Sequence, residues 1–505
     1  MTPPLRTSHS DFAIVVRDVG RLLPLVGAMA VASLFVPLLF GESYAIAPLL
    51  ITAAVSLALG AALYFPLRCA GETQLRHAMV TAAVAWILVP ALGSLPFLLV
   101  ALMTDAGPEA AAGLSVFRDP ANAFFESVSG FTTTGLTLSP RPDLLCHTLQ
   151  WWRSLSQWIG GLGILVTALS VLSGPRPGAT LYSMYYAEAR TEKIRPTVRA
   201  TVRTMWWIFF LFTGVSLVLQ WRLGAPIWQA ANHAMTAMAT GGFTITAPGA
   251  RLFPNTWSMV VLLGTMLAGA ISFSVHYETL GSGWRKFLSD YQTRALLVFV
   301  ACGAALLALE NLSSLGAVEA LRTSAFHFVS AATTTGFQTA DIVRWSDTAK
   351  LILALGMFVG GAAGSTAGGF KILRLVVLLK GVQWRFRQIL SPRQAVVPFR
   401  IGRTALDDDE AGTRLEDAAL IFFLWSAFLG VGVVVLLHTV PSHFSLGDVV
   451  LEVASAQGNT GLTTGITAAS LPLAAKLALA FNMWVGRLEI IPVLMLVRSF
   501  LGRGA

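Results

Sequence analysis

Charge is scarce in this chain. Asp, Glu, Lys and Arg together make up 12% of its 505 residues, about half the ~25% usual in a soluble domain. That leaves too little polar surface for a soluble fold. Cysteine is scarcer still: Cys69, Cys146 and Cys302 are scattered and lie close to apolar segments. They offer neither a disulfide framework nor a metal-ligand spacing. Catalytic signatures are missing too. No HExxH or GxSxG stands in the sequence, and no acids cluster within the apolar spans, which argues against an intramembrane enzyme. Walker-type GxxxxGK[ST] and dinucleotide fingerprints are likewise absent, so nucleotide sensing, if any, belongs to another chain.

What is abundant is apolar. Hydrophobic residues account for 55% of the chain and the mean hydropathy is +0.68. Runs of roughly 20 apolar residues recur from end to end, the length that crosses a bilayer core as helix. The net charge of +9 raises nucleic acid as a partner. The cations, however, are concentrated in particular loops, which membrane topology explains better, and no nucleic-acid partner is expected. The apolar run after Arg21 is long enough to span and lacks a clean cleavage site, so no cleavable signal peptide is expected.

One short stretch is written four times. It reads ESVSGFTTTGLT from Glu126, HAMTAMATGGFT from His233, HFVSAATTTGFQ from His327 and EVASAQGNTGLT from Glu452. With Gly135, Gly242, Gly336 and Gly461 in one column, a small hydroxyl stands six residues earlier each time: Ser129, Thr236, Ser330, Ser455. Nine residues earlier the residue is always ionisable: Glu126, His233, His327, Glu452. Internal repeats of this kind define an architecture.

Around each copy the order is span, short amphipathic segment, glycine stretch, span. The spans fall at about 77–103 and 145–172, 202–221 and 254–279, 293–311 and 347–380, and 416–438 and 471–500. Two further spans, about 22–40 and 44–66, precede them as an accessory hairpin. The chain therefore divides into residues 1–70 (cytosolic lead and hairpin) and repeats at 71–180, 181–285, 286–400 and 401–505. The segments between paired spans are too short to cross and read as re-entrant half-helices, tolerated where they are buried or line water. The expected fold is an all-α polytopic membrane protein with ten spans and four half-helices around one central pore. Arg176, Arg190, Lys193, Arg195 and Arg199, then Arg285 and Lys286, then Arg385, Arg387, Arg393, Arg400 and Arg403 mark one side. Asp105, Glu109, Asp119 and Asp341 lie toward the other. The positive-inside bias then puts both termini in the cytosol and opens the glycine stretches to the outside.

Glycine adopts positive φ without a Cβ penalty, so a strand containing it can turn successive carbonyls toward a common axis. Four such strands make rings of oxygens able to replace an ion's hydration shell. The candidate ion-binding residues are Thr133, Thr134 and Gly135; Thr240, Gly241 and Gly242; Thr334, Thr335 and Gly336; Asn459, Thr460 and Gly461. Each half-helix also aims its partially negative C-terminus at the pore. The arrangement suits a weakly hydrated monovalent cation.

These residues resemble the Trk/Ktr/HKT superfamily of potassium transporters, whose single chain repeats a span–pore–span unit four times. The resemblance runs from about residue 77 onward, and the extra hairpin is similar to the TrkH type in particular. SQWIGGLGI from Ser156, the glycine-broken third inner span and Arg487 fit it as well. The resemblance implies potassium as the transported ion, a filter glycine at each of the four columns, and no cofactor bound by this chain. Glycine rather than serine at position 135 argues, by the same resemblance, for potassium over sodium. It also implies a bacterial inner-membrane location, a homodimer, and a TrkA-like cytosolic ring whose subunits bind the regulatory nucleotide, ATP/ADP or NAD. Ala239 to Gly241 and Gly458 to Thr460 depart from the threonine-rich pattern, so the filter is not fourfold symmetric.

The run Gly360, Gly361, Gly364, Ser365, Thr366, Gly368 and Gly369 interrupts the third inner span. Each glycine costs a helix roughly 1 kcal/mol relative to Ala, so the segment reads as a loop. By the resemblance it is a gate, with Lys371 and Arg374 at the inner mouth. Arg487 should face the pore or pair with Glu489, since facing lipid costs a few kcal/mol. Glu126, His233, His327 and Glu452 are either structural braces or relays of ions and protons. Coupled secondary transport by sodium or protons also uses glycine-broken helices, but usually in two inverted halves rather than four repeats of one direction.

Overall fold

The computed structural model describes residues 9–104, 113–164, 166, 194–246, 252–392, 397–402 and 404–501. Arg176, Arg190, Lys193, Arg393, Arg403, Asp105, Glu109 and the boundary near 180 lie outside the described residues. Among those described, six helices are long and apolar enough to cross a membrane, or eight if each sharply bent pair is one span. The first inner helix, His147–Leu162, stops after 16 residues at Gly163, and the third is split by the glycine run into the short Asp347–Val359 and the charge-bearing Ile372–Leu390.

The N-terminal hairpin runs up through Asp11–Phe40, turns at Gly41 (φ 70°) and returns through Ser43–Leu67. Its arms cross at small residues: a Cβ on Gly60 would come within 2.8 Å of Pro24 Cδ. Such close approach is how helices associate where lipid offers no hydrophobic drive. Two polar latches tie the hairpin to the rest. At one end Arg17 bonds Gly71 O at 2.8 Å and Thr73 Oγ1 at 3.0 Å, beside Asp18. At the other, the Glu42 carboxylate accepts the His147 and Thr148 N–H groups at 2.7 and 2.9 Å. It thereby caps the first inner helix, where a negative charge is favoured.

The outer helices of the four repeats are Leu75–Gly93 with Leu95–Met103, Val198–Arg222, Tyr291–Leu315 and Asp408–Thr439. The pore helices are Pro120–Phe131, Ile227–Met238, Ala317–Ala332 and Leu446–Gln457. Two of the inner helices bend sharply. Thr256–Ala270 meets Phe273–Ser282 at 107°, and Leu473–Arg487 meets the last helix at 111°. Large apolar side chains face outward: Leu309 is 67% exposed, Leu355 64% and Phe423 68%. In water they would be a liability; against acyl chains they are the ordinary surface of a spanning helix. One feature departs from an all-α chain. Phe399–Ile401 and Thr404–Leu406 form a two-stranded antiparallel hairpin, and Phe399, Ile401 and Leu406 cluster with Val377, Ala411 and Ala418.

Candidate ion filter

Each pore helix runs directly into its Thr/Gly strand, and the four strands share one backbone pattern. Thr133, Thr240, Thr334 and Asn459 have φ of 57°, 51°, 54° and 54°. Two residues on, Gly135, Gly242, Gly336 and Gly461 have φ of 86°, 70°, 84° and 105°. The residue between them keeps a negative φ, and this alternation turns consecutive carbonyls to one side of the strand. Positive φ at threonine costs on the order of 1–3 kcal/mol, so something must hold the strands there. The −6 column does so. Thr134, Gly241, Thr335 and Thr460 donate their N–H to the carbonyls of Ser129, Thr236, Ser330 and Ser455 at 2.8–2.9 Å. With the amides turned into the protein, the carbonyls are left to the other side.

The strands close on one another. A Cβ on Gly135 would collide with the Gly241 carbonyl oxygen, one on Gly242 with that of Thr335, one on Gly336 with that of Thr460, and one on Gly461 with that of Thr134. Four steps return to the starting repeat, so the candidate residues lie together in a ring although they are spread over more than 300 positions of the sequence. The inner helices fit by the same means. Gly160, Gly269 and Gly486 each lie against a carbonyl at the end of their own pore helix, Phe131, Met238 and Gln457.

In three repeats the −9 residue clips the strand that climbs away from the filter. Glu126 accepts from Leu138 N at 3.0 Å and Thr137 Oγ1 at 2.8 Å. His327 Nε2 accepts from Thr339 N at 3.2 Å. Glu452 accepts from the N–H groups of Thr464 and Thr467, both at 3.0 Å. His233 is different: both its ring nitrogens are buried without a hydrogen-bond partner among the described residues.

Two side chains that the repeat pattern does not mark support the second strand. Gln157 donates through Nε2 to Gly241 O and accepts the Phe243 N–H through Oε1 at 3.0 Å. It fills the space beside Gly241 that a threonine side chain occupies in the other repeats, where Thr134 and Thr335 bond Thr132 and Thr333 at 2.8 Å. Arg153, paired with Glu126 at 2.8 Å, bonds Thr244 O at 2.7 Å and lies 4.0 Å over the Phe243 ring. Gln157→Leu removes both hydrogen bonds and leaves buried backbone groups unpaired, a loss of about 1–3 kcal/mol. Ion discrimination in reconstituted vesicles should fall about tenfold with the helix content unchanged. Wild-type selectivity in this variant would show that Gln157 only fills space.

The glycine-rich loop lies immediately beneath the ring. Gly368 N–H donates to Thr334 Oγ1 at 2.7 Å, and Thr366 Oγ1 to Met238 O and Gly269 O at 3.0 and 2.8 Å. Gly360, Gly364 and Gly369 take φ of 70°, 74° and 80°. Ser365 Oγ bonds Ala362 O at 2.6 Å, and the Lys371 ammonium bonds Ala367 O. Gly361 backs the loop against Ala270. Arg487 reaches in from the fourth inner helix to Thr133 Oγ1 at 3.3 Å, to Thr366 O at 3.1 Å, and to Gly160 O and Gly161 O. Its guanidinium thus links the first filter strand, the loop and the first inner helix. The Glu489 carboxylate receives Arg374.

A polytopic helical protein built on four pore-loop units around one axis is the class this fold defines. Comparison narrows it. Residues 47–503 match the family model described as TrkH, cation transport protein. An uncharacterized cation transporter of Methanocaldococcus jannaschii is 34% identical over 428 residues, 84% of this chain and 82% of its own. The Trk system potassium uptake protein TrkH of Halomonas elongata is 29% identical over 96% of this chain and 98% of its own. The crystal structure of the potassium transporter TrkH from Vibrio parahaemolyticus superposes with a TM-score of 0.80 at 27% identity, covering 96% of this chain and 98% of that one. The chain belongs to the TrkH family of cation transport proteins.

Proposed function

We propose that the chain takes up potassium across the bacterial inner membrane through a channel-like pore whose filter is the closed ring of four Thr/Gly strands. The single observation that carries this is the closure itself, each filter glycine seated on the next repeat's carbonyl. Such a ring offers oxygens in place of water and no full charge, which lets a monovalent cation bind and leave. The names of the Halomonas and Vibrio relatives support potassium as the ion. The loop 360–369 is the gate, because it is pinned to filter residue Thr334 above and to Arg487 beside it. Both termini face the cytosol. The chain works as a homodimer, and a cytosolic ring of nucleotide-binding subunits biases the gate by binding its open form more tightly.

The test is ion flux in vesicles holding the purified chain under imposed K⁺, Na⁺ and pH gradients. Potassium should move down its own gradient, and sodium should compete poorly. Potassium movement driven uphill by a sodium or proton gradient would replace the channel with a coupled transporter.

A further inference from the structure

The second half of the third inner helix, Ile372–Leu390, ends against the β-hairpin that begins at Phe399. Between them is a small open cleft of about 50 Å³ lined by Lys380, Gln383, Trp384, Arg387, Pro398, Phe399 and Arg400. Lys380, Gln383, Trp384 and Arg387 follow at i, i+3, i+4 and i+7, so they share one helix face. The cleft is held open by packing: Trp384 Nε1 donates to Val397 O at 2.7 Å, and its ring meets Phe399 edge-on at 5.5 Å. Among the described residues the side chains of Lys380, Arg387 and Arg400 have neither an ion-pair nor a hydrogen-bond partner. In the acidic run that follows the hairpin, Asp407 caps its own helix at Glu410 N and Glu410 pairs with Arg414. Three uncompensated cations around a built cleft fit an anion with several oxygens, the chemistry of a phosphate group.

The opposite face of the same helix identifies the source. Leu379, Val382, Phe386 and Ile389 form an apolar stripe, 57%, 57%, 61% and 69% exposed, and Leu390 is 83% exposed. A helix with one apolar face and cations on the other is suited to the interface plane, where those cations would stand at headgroup level. A soluble phosphate would need no such stripe.

We infer that this cleft binds the phosphate of an anionic phospholipid headgroup in the leaflet bordering the basic loops. The inference rests on the cytosolic placement of that face for which leaflet is meant, but not for the binding itself. Because the helix begins one residue after Lys371 at the end of the glycine loop, a lipid seated here anchors the far end of the segment that leads to the loop.

The experiment uses the full chain purified in neutral detergent. It is incubated with phosphatidylglycerol or phosphatidylcholine, and retained lipid is counted by native mass spectrometry. Wild type should keep phosphatidylglycerol preferentially. Each cation near an anionic headgroup is worth about a fivefold gain in affinity, so K380Q/R387Q/R400Q should lose about a hundredfold. R385Q, on the same helix but outside the cleft, should change nothing. R400Q alone, on the hairpin, should lose about fivefold and covers the case in which the triple variant fails to fold. Equal retention of the two lipids by wild type, or retention unaffected by R400Q, overturns the proposal. Displacement by millimolar inorganic phosphate also overturns it, since the anion would then be a soluble one. Binding in detergent is independent of membrane orientation, so a failure here is distinct from an error in the topology. Labelling of a cysteine placed at Gln388 in intact cells reports the topology separately.

Discussion

Gly135→Ser should lower the preference for potassium over sodium at least tenfold while leaving the protein folded. The backbone at this position has φ of 86°, a region where a Cβ costs roughly 1–2 kcal/mol. The added carbon would also point straight at the Gly241 carbonyl oxygen. The strand cannot absorb that locally, because Thr134 N–H is fixed to Ser129 O at 2.9 Å and Gly241 O is held by Gln157. The collision is relieved only by moving one ring oxygen away from its neighbours. Misplacing one oxygen changes the spacing that separates two monovalent ions of different radius, and each 1.4 kcal/mol of lost discrimination is a factor of about ten. The rest of the fold does not depend on this residue, so the variant should still fold, with thermal stability lowered only by the strain at this one position. Competing-ion flux decides it: a variant with unchanged selectivity means that Gly135 does not belong to the filter.

The ring was legible in the sequence because its residues recur in fixed columns, and four copies of a strand flanked by spans leave few ways to be arranged. The glycine column is marked because positive φ demands it, and the −6 hydroxyl column because its carbonyls anchor the strands. What joins one repeat to the next was not legible. Gln157 and Gly241 are 84 residues apart and belong to different repeats, so no local pattern points from one to the other. A signal did exist: where repeat two has Gly241 instead of threonine, something had to fill the space. The glycines of the inner helices were hidden for another reason. Glycine is common in spanning segments, and only the seating of Gly160, Gly269 and Gly486 on pore-helix carbonyls separates them from the rest. The hairpin at Phe399–Leu406 is too short for a period-two pattern to register, and it is stabilised by packing on Val377 and Ala418 rather than by its own strands. The role of the −9 column was undecidable from ionisable side chains alone, since a brace and a relay use the same residues. Hydrogen bonds donated to Glu126, His327 and Glu452 by N–H groups of the strand beyond the ring are the geometry of a brace.

Arg487→Gln should raise basal potassium flux by about tenfold or more without any regulatory partner. The arginine lies beneath the ring, with one nitrogen 3.3 Å from the Thr133 hydroxyl of the first filter strand and 3.1 Å from Thr366 O of the glycine loop. On the proposed route, a cation leaving the ring would therefore meet a fixed positive charge. At about 4 Å and an effective dielectric near 20, two unit charges repel by roughly 4 kcal/mol, and even a third of that slows passage about tenfold. Glutamine keeps a donor of similar reach and removes the charge, so the loop need not collapse. The alternative is that Arg487 merely ties three elements together, since it also bonds Gly160 O and Gly161 O. The two roles give opposite results. A tie that supports only the fold, once cut, lowers the amount of folded protein and leaves flux per molecule unchanged. A charge barrier, once removed, raises flux per molecule. Arg487→Lys separates them further: it keeps the charge but cannot span both the loop and the inner helix, so basal flux should remain low even if thermal stability drops. High flux in the lysine variant would assign the closure to the loop 360–369, with Arg487 acting only as its tether.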